Sequence, residues 1–272
     1  MQKIAIYGKG GIGKSTIAAH MSIYYALSGK KVLHVGCDPK HDSSLRLLDG
    51  NAQLKTVLDV IGDRPTAEST EELINTGRLG IDCCETGGPP PGLGCGGRGV
   101  ARTLEFMADM DVFNAGKYDI VIFDVLGDVV CGGFAAPLRL GYAEKVFIVL
   151  SEEPMALYAA NNISKAIHFY AENGVSLGGF IANLRNNSTN VEFLRRFARE
   201  LNTELLAVIK RDELIGEAEK LRKTVIEYKP EAEISNIFKN LAETIVSLDS
   251  KKLPLPTPIE EEKFFDLLLQ MR

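Results

Sequence analysis

The stretch KIAIYGKGGIGKST, residues 3–16, runs an apolar strand pattern straight into a glycine-dense turn and then a helix. Gly8, Gly10 and Gly13 fit the G-x-G-x-x-G turn of a dinucleotide fold, while Gly8, Gly13, Lys14 and Ser15 fit the G-x-x-x-x-G-K-[ST] turn of a P-loop. In the first reading an acid at the end of the second strand, Asp38, would hold a ribose. In the second, the N–H groups of Lys9, Gly10, Gly11, Ile12 and Gly13 form an anion nest that runs into Lys14, Ser15 and Thr16. Lys14 then reaches the terminal phosphates and Ser15 a magnesium ion, so both are surplus to the first reading and essential to the second.

A P-loop needs a second acid at the end of another buried strand, and YDIVIFDVLGD supplies Asp124 there. Gly127 and Asp128 follow in a short loop, where a γ-phosphate sensor is expected. The segment GCDPKHDSS leaves the second strand with Asp38, Lys40 and Asp42 close together. Alone it is a polar loop with a helix cap. Beside a P-loop it is a candidate switch, with Asp38 positioning water or metal, Asp42 in the magnesium shell and His41 as a solvated loop residue.

Strand-like runs at residues 3–7, 31–36, 119–124, 145–150, 178–183 and 205–209 alternate with helical patterns. Such alternation specifies an α/β, doubly wound, mostly parallel sheet. Helices are expected at residues 14–28, 99–110, 155–173, 191–200 and 235–248. Nothing breaks the chain before residue 250, so residues 1–250 read as one P-loop domain. KKLPLPTP cannot continue a helix, and residues 251–272 read as a tail with a short helix that packs on a second subunit. No apolar run reaches a bilayer-spanning length, and five cysteines without a signal pattern point to a reducing cytoplasm. A net charge of -5 argues against nucleic acid as a partner. The carboxyl-terminal helix lacks the basic face of a membrane anchor.

Cys37, Cys83 and Cys84 lie in or beside strands, where cysteine acts as a small hydrophobe. Cys95 and Cys131 each precede Gly-Gly in a loop at a helix start, where N–H donors and the positive helix end favour a thiolate. Each read alone is a structural residue. Two thiolates do not saturate an iron–sulfur cluster, but a two-fold dimer would supply four.

Taken together, GKGGIGKST, CDPKHDS, ETGGPPPGLGCGGRGV, FDVLGDVVCGGFAAPLR and MALYAANNI resemble the nitrogenase iron protein family over nearly the whole chain. That family comprises dimeric ATP-dependent reductases that deliver single electrons to nitrogenase and related enzymes. The resemblance implies a homodimer bridged by one [4Fe–4S] cluster on Cys95 and Cys131 of each chain, with MgATP in each subunit. It implies that Lys9 reaches the other subunit's nucleotide, that Asp38 and Asp128 act in hydrolysis, and that Asn183 and Asp212 surround the adenine. Arg98 matches a docking-face arginine. The implied partners are a catalytic nitrogenase or nitrogenase-like component as acceptor and a ferredoxin or flavodoxin as donor. His41 stands where nitrogenase iron proteins proper usually have alanine, as in iron-protein-like components of tetrapyrrole reductases, and GCGGRGV replaces the usual GCAGRGV. A partitioning or positioning ATPase shares the two-lysine P-loop but has no cluster. A cluster-carrier ATPase would not need the long matches around both cysteines.

Overall fold

The computed structural model describes residues 1–49, 54–61, 70–89, 94–113, 116–127 and 132–270. Among them, eight strands form one sheet. In chain order they are β1 (Gln2–Tyr7), β2 (Val32–Cys37), β3 (Asn75–Thr76), β4 (Asp82–Glu85), β5 (Ile120–Val125), β6 (Lys145–Leu150), β7 (Ser176–Asn183) and β8 (Leu205–Ile209). Their spatial order is β3-β4-β2-β5-β1-β6-β7-β8, and every pairing is parallel except the edge pair β3–β4.

The strands are apolar on both faces because both are covered. Ile4 and Ile6 of β1 join one core with Ile120, Ile122 and Phe238, whereas Ala5 and Tyr7 join the other with Val121, Phe123 and Phe197. The first layer contains α1 (Lys14–Leu27), and the second contains α3 (Gly96–Asp109); between them in sequence lies the short α2 (Val57–Ile61). The remaining helices are α4 (Ala136–Arg139), α5 (Pro154–Phe169), α6 (Val191–Glu200), α7 (Glu213–Lys220), α8 (Val225–Tyr228), α9 (Glu233–Ser247) and α10 (Glu261–Leu269). No helix among the described residues is long and apolar enough to cross a membrane.

The parallel sheet and the principal helices expected from sequence are present, with shifted ends. The second expected helix, α3, starts at Gly96 rather than at residue 99, which makes Cys95 its N-cap. The tail from residue 251 turns back onto its own chain. Asn161 of α5 donates to Ile259 O at 2.7 Å and accepts from Ile259 N at 2.9 Å, and Phe264 is buried against Phe197 and Tyr158. What the tail leaves outward is Leu255, Phe265 and Leu269.

Candidate functional site

Between β1 and α1, the glycine turn is held open by its backbone. Gly8, Gly11 and Gly13 have φ of 143°, 71° and 103°, a region that side chains avoid. A Cβ on Gly8 would stand 2.2 Å from the carbonyl oxygen of Val149, and one on Gly13 would stand 2.4 Å from Asn183 Nδ2. The turn is therefore pressed against the ends of β6 and β7, and its outer side is left for a ligand.

One cleft crosses this turn in two parts that share Gly11, Gly13, Thr16 and Glu219. The first part, about 1020 Å³, is lined by Gly10, Lys14, Ser15, Asp38, Lys40, Asp42 and Asp124. The second, about 860 Å³, is lined by Asn183, Arg185, Asp212 and Phe238 among others. Seven side chains or backbone positions from three separate loops thus meet in the phosphate-sized part. Lys9 is exposed and lines neither part, and Ile12 is buried beneath the turn.

Lys14 is buried, with Nζ donating to Lys9 O at 3.2 Å. Burial lowers its pKa, opposed by the nearby carboxylates of Asp124 and Asp38. A buried amine among carboxylates is well matched to a polyanion, which adds opposite charge directly. Asp38 accepts from Lys40 N at 2.9 Å, which fixes the turn that carries Lys40 and Asp42 past the cleft. Both of those side chains are exposed, as is His41, whose φ is 47°. These residues fit a magnesium–nucleotide complex: the turn has room only outside, and a buried amine faces acids across it.

In the second part of the cleft, Asn183 donates to Ile12 O at 2.7 Å and so braces the turn. Asp212 is the N-cap of α7 and accepts from Leu214 N at 2.9 Å. Both line the cleft while serving a structural bond. Arg185, which the sequence did not single out, donates from Nη2 to Gly11 O at 2.5 Å. Its place two residues after Asn183, at a strand end, was a usable signal. Ser43 and His34 were also missed, because the bond that gives them meaning, Ser43 to Asp124, joins residues 81 positions apart.

Cys37, Cys83 and Cys84 are fully buried, as expected for small core residues. Burial raises all three thiols, Cys83 to about 12. Cys95 is different. It is exposed at the head of the fourteen-residue α3, with Arg98 exposed one turn on. A thiol in that position has helix N–H groups beside it to favour a metal-bound thiolate. The other expected ligand, Cys131, and the expected sensor, Asp128, lie outside the described residues.

The Cys95 loop touches the nucleotide loops directly. A Cβ on Gly88 or Gly96 would stand 2.5 Å or 2.7 Å from the Pro39 side chain, so Pro39 of the Asp38 turn sits in a notch between Gly88 and Gly96, the residue after Cys95. A Cβ on Gly133 would stand 1.8 Å from Gly97 O, and one on Gly127 1.7 Å from Gly8 O. Backbone therefore packs closely on backbone at two places, Gly127 against Gly8 and Gly133 against Gly97.

A family model described as 4Fe-4S iron sulfur cluster binding proteins, NifH/frxC family, matches residues 2–272. A nitrogenase iron protein of Methanococcus voltae is 44% identical over 269 residues, spanning 98% of this chain and 95% of that protein. In fold, the chain is similar to the septum site-determining protein MinD of Pyrococcus horikoshii, solved with Mg-ADP, at a TM-score of 0.70 and 23% identity over 93% of this chain and all of that one. It is also similar to the cobyrinic acid a,c-diamide synthase of Mycobacterium smegmatis, at 0.65 and 17% over 95% and 100%. With a matching family model over nearly its full length, a relative this close and an exposed cysteine at the junction of the nucleotide loops, the chain belongs to the NifH/frxC family of 4Fe-4S iron–sulfur cluster-binding proteins.

Proposed function

We propose that the protein is a low-potential electron donor that works as a homodimer and passes single electrons to a catalytic component of the nitrogenase or nitrogenase-like class, coupled to MgATP hydrolysis. As a family member it is an ATP-dependent oxidoreductase component with ATPase activity. The observation that carries the finer reading is the contact of Pro39 with Gly88 and Gly96, because it puts a nucleotide-facing loop against the residue after Cys95.

The chain's own residues divide the work. The N–H groups of residues 9–15 and the Lys14 ammonium bind the phosphates, and Ser15 and Asp42 stand around the magnesium. Asp38 and Asp128 orient the attacking water, while Lys9, exposed and outside the lining of its own cleft, completes the site of a second copy. Asn183 and Asp212 flank the base. Cys95 and Cys131 would hold the cluster, which supplies a one-electron carrier at the surface. A shift of the Asp38–Asp42 turn on phosphate binding moves Pro39, and Pro39 moves the backbone beside Cys95. Arg98 lies on the same exposed surface and meets the acceptor. Phe265 and Leu269 are the side of the tail that a second copy would cover.

A tetrapyrrole reductase is the second reading of the partner, favoured by His41 on the exposed turn. Such acceptors include nickel-sirohydrochlorin a,c-diamide reductive cyclase and dark protochlorophyllide reductase. The test is anaerobic purification with the neighbouring gene products, followed by addition of MgATP and a reduced ferredoxin or flavodoxin. A brown protein with about four irons per dimer, which transfers electrons only when MgATP and a co-purifying catalytic component are present, is expected. Colourless protein after iron reconstitution would sink the proposal, and the identity of the co-purifying component decides between the two partners.

A further inference from the structure

We propose that Ser22, His34 and Ser43 form a one-way hydrogen-bond relay that aims the carboxylate of Asp124 into the nucleotide cleft, with His34 as its positioning residue. The relay deepens the nucleotide-site reading above and rests on it for the ligand that Asp124 meets.

His34 is on β2, fully buried between two hydroxyls. Its Nδ1 is 2.8 Å from Ser22 Oγ of α1, and its Nε2 is 2.8 Å from Ser43 Oγ. Ser43 in turn donates to Asp124 Oδ2 at 2.5 Å, at the end of β5. All four side chains belong to residues that are no more than 4% exposed, so the bonds have no water to compete with them.

Proton counting fixes the direction. Ser43 has one hydroxyl proton, and the carboxylate takes it because a carboxylate can only accept. The Ser43 oxygen is then an acceptor toward His34, so His34 Nε2 must carry a proton. A neutral imidazole carries only one, which leaves Nδ1 as an acceptor and makes Ser22 its donor. Burial keeps the ring neutral, with its pKa lowered to about 4. The order is Ser22 to His34 to Ser43 to Asp124, with no group left as a second donor or second acceptor.

The consequence for the site is orientation. With Oδ2 occupied by Ser43, the other oxygen of Asp124 is the one available to the cleft that Asp124 lines. Without that donor, the carboxylate is free to turn toward Lys14, whose charge it already feels. Magnesium and manganese tolerate little angular error, and the groups that orient a metal's ligands are typically worth 10–100-fold in metal affinity. Ser43 also follows Asp42 directly, so the same bond ties the end of the Asp38–Asp42 turn to β5.

Two measurements test this on the full chain. Long-range ¹H–¹⁵N correlation of histidine-labelled protein, with His34→Gln for assignment, should show His34 as the neutral Nε2–H form at neutral pH. The Nδ1–H form would overturn the relay. Binding of Mn²⁺ in the presence of ADP, read from the EPR signal of free Mn²⁺, should weaken about tenfold in His34→Leu. ADP affinity in EDTA should not change. In His34→Gln, whose amide can still donate to Ser43, most of the Mn²⁺ affinity should return. Loss of ADP affinity with and without metal, or loss of neither, would make His34 a mere packing residue. Should His34→Leu not fold, Ser22→Ala is read the same way: weaker Mn²⁺ binding supports the relay and unchanged binding overturns it. An unsubstituted protein that takes up no Mn²⁺ with ADP would remove the nucleotide reading itself, and the tautomer would still decide the relay.

Discussion

The phosphate turn and the loop that carries Cys95 both rest on closely packed glycines, but the turn adds side-chain bonds. The first is built from directed bonds: Asn183 to Ile12 O, Arg185 to Gly11 O, Lys14 to Lys9 O, and Ser43 to Asp124 beside it. The second is positioned by close approach of glycine backbone, with Pro39 between Gly88 and Gly96 and Gly133 against Gly97. Its cysteine is exposed, whereas the buried Cys37, Cys83 and Cys84 are tied into the sheet. The lesson is that the cleft is fixed by side-chain bonds at several strand ends, while Cys95 is presented at the surface beside packed glycines.

The largest test of that contrast is the iron itself. Cys95→Ser and Cys131→Ser are expected to abolish iron binding, while Cys37→Ser, Cys83→Ser and Cys84→Ser retain it, as read by iron content and visible absorbance. Loss of iron in any of the latter three with the fold intact would erase the distinction between buried and exposed thiols. Next in size, Lys14→Gln should lower partner-dependent ATP hydrolysis by about 100-fold or more and leave iron content unchanged. An equal loss of iron would mean that the two regions are not separable.

Smaller effects sharpen the boundary. Gly96→Ala pushes a methyl into Pro39 and should cost about 1–3 kcal/mol of stability, with an altered EPR spectrum of the reduced protein. Gly10→Ala has nothing within 4 Å of its new Cβ. It should leave the melting temperature in place but weaken nucleotide binding, because Gly10 lines the cleft.

The smallest expected effect concerns Glu85, the last residue of β4. It accepts from Ser44 N and Oγ, each at 2.6 Å, while its Oε2 is buried without a partner among the described residues. Burial pushes its pKa up to about 8, from 4.5, against the pull of those two bonds. The native state therefore keeps a proton that the unfolded chain has released above about pH 4.5, and this contribution to stability is lost as pH rises through 8. Below 6.5, buried His20 and His34, both lowered to about 4, act in the opposite sense: the unfolded chain binds their protons first, so acid destabilises. Between pH 6.5 and 8 Glu85 acts without them, and its effect amounts to roughly 2 kcal/mol. Glu85→Gln should flatten the melting temperature across that interval, and an unchanged slope would show that another group carries it.

Much of this was legible in the sequence because it is local. The glycine turn, Lys14 and Ser15 announce themselves within eight residues, and the six longer strands show as apolar runs. The edge pair Asn75–Thr76 and Asp82–Glu85 is too short to carry a pattern, although IDCCE already looked extended. Helix α7 was not anticipated, since Gly216 breaks its apolar stripe. Strand order was invisible. Only once β5 lies between β1 and β2, with Gly36 opposite Asp124, can Ser43 reach that carboxylate and His34 stand behind it. The notch for Pro39 was illegible for the same reason: its walls are residues 49 and 57 positions further along the chain.

The returning tail carries a consequence for how the protein is made. Ile259, Phe264 and Leu267 close an apolar groove whose other walls, α5 and α6, leave the ribosome much earlier. Chains fold from the amino end as they are synthesised, so the groove between these helices stays open until the tail emerges. The nascent protein then holds a finished phosphate turn while this apolar seam is still open, a state exposed to aggregation. A C-terminal deletion would make that state permanent, and its mark would be aggregation of newly made chains rather than loss of nucleotide binding in those that survive.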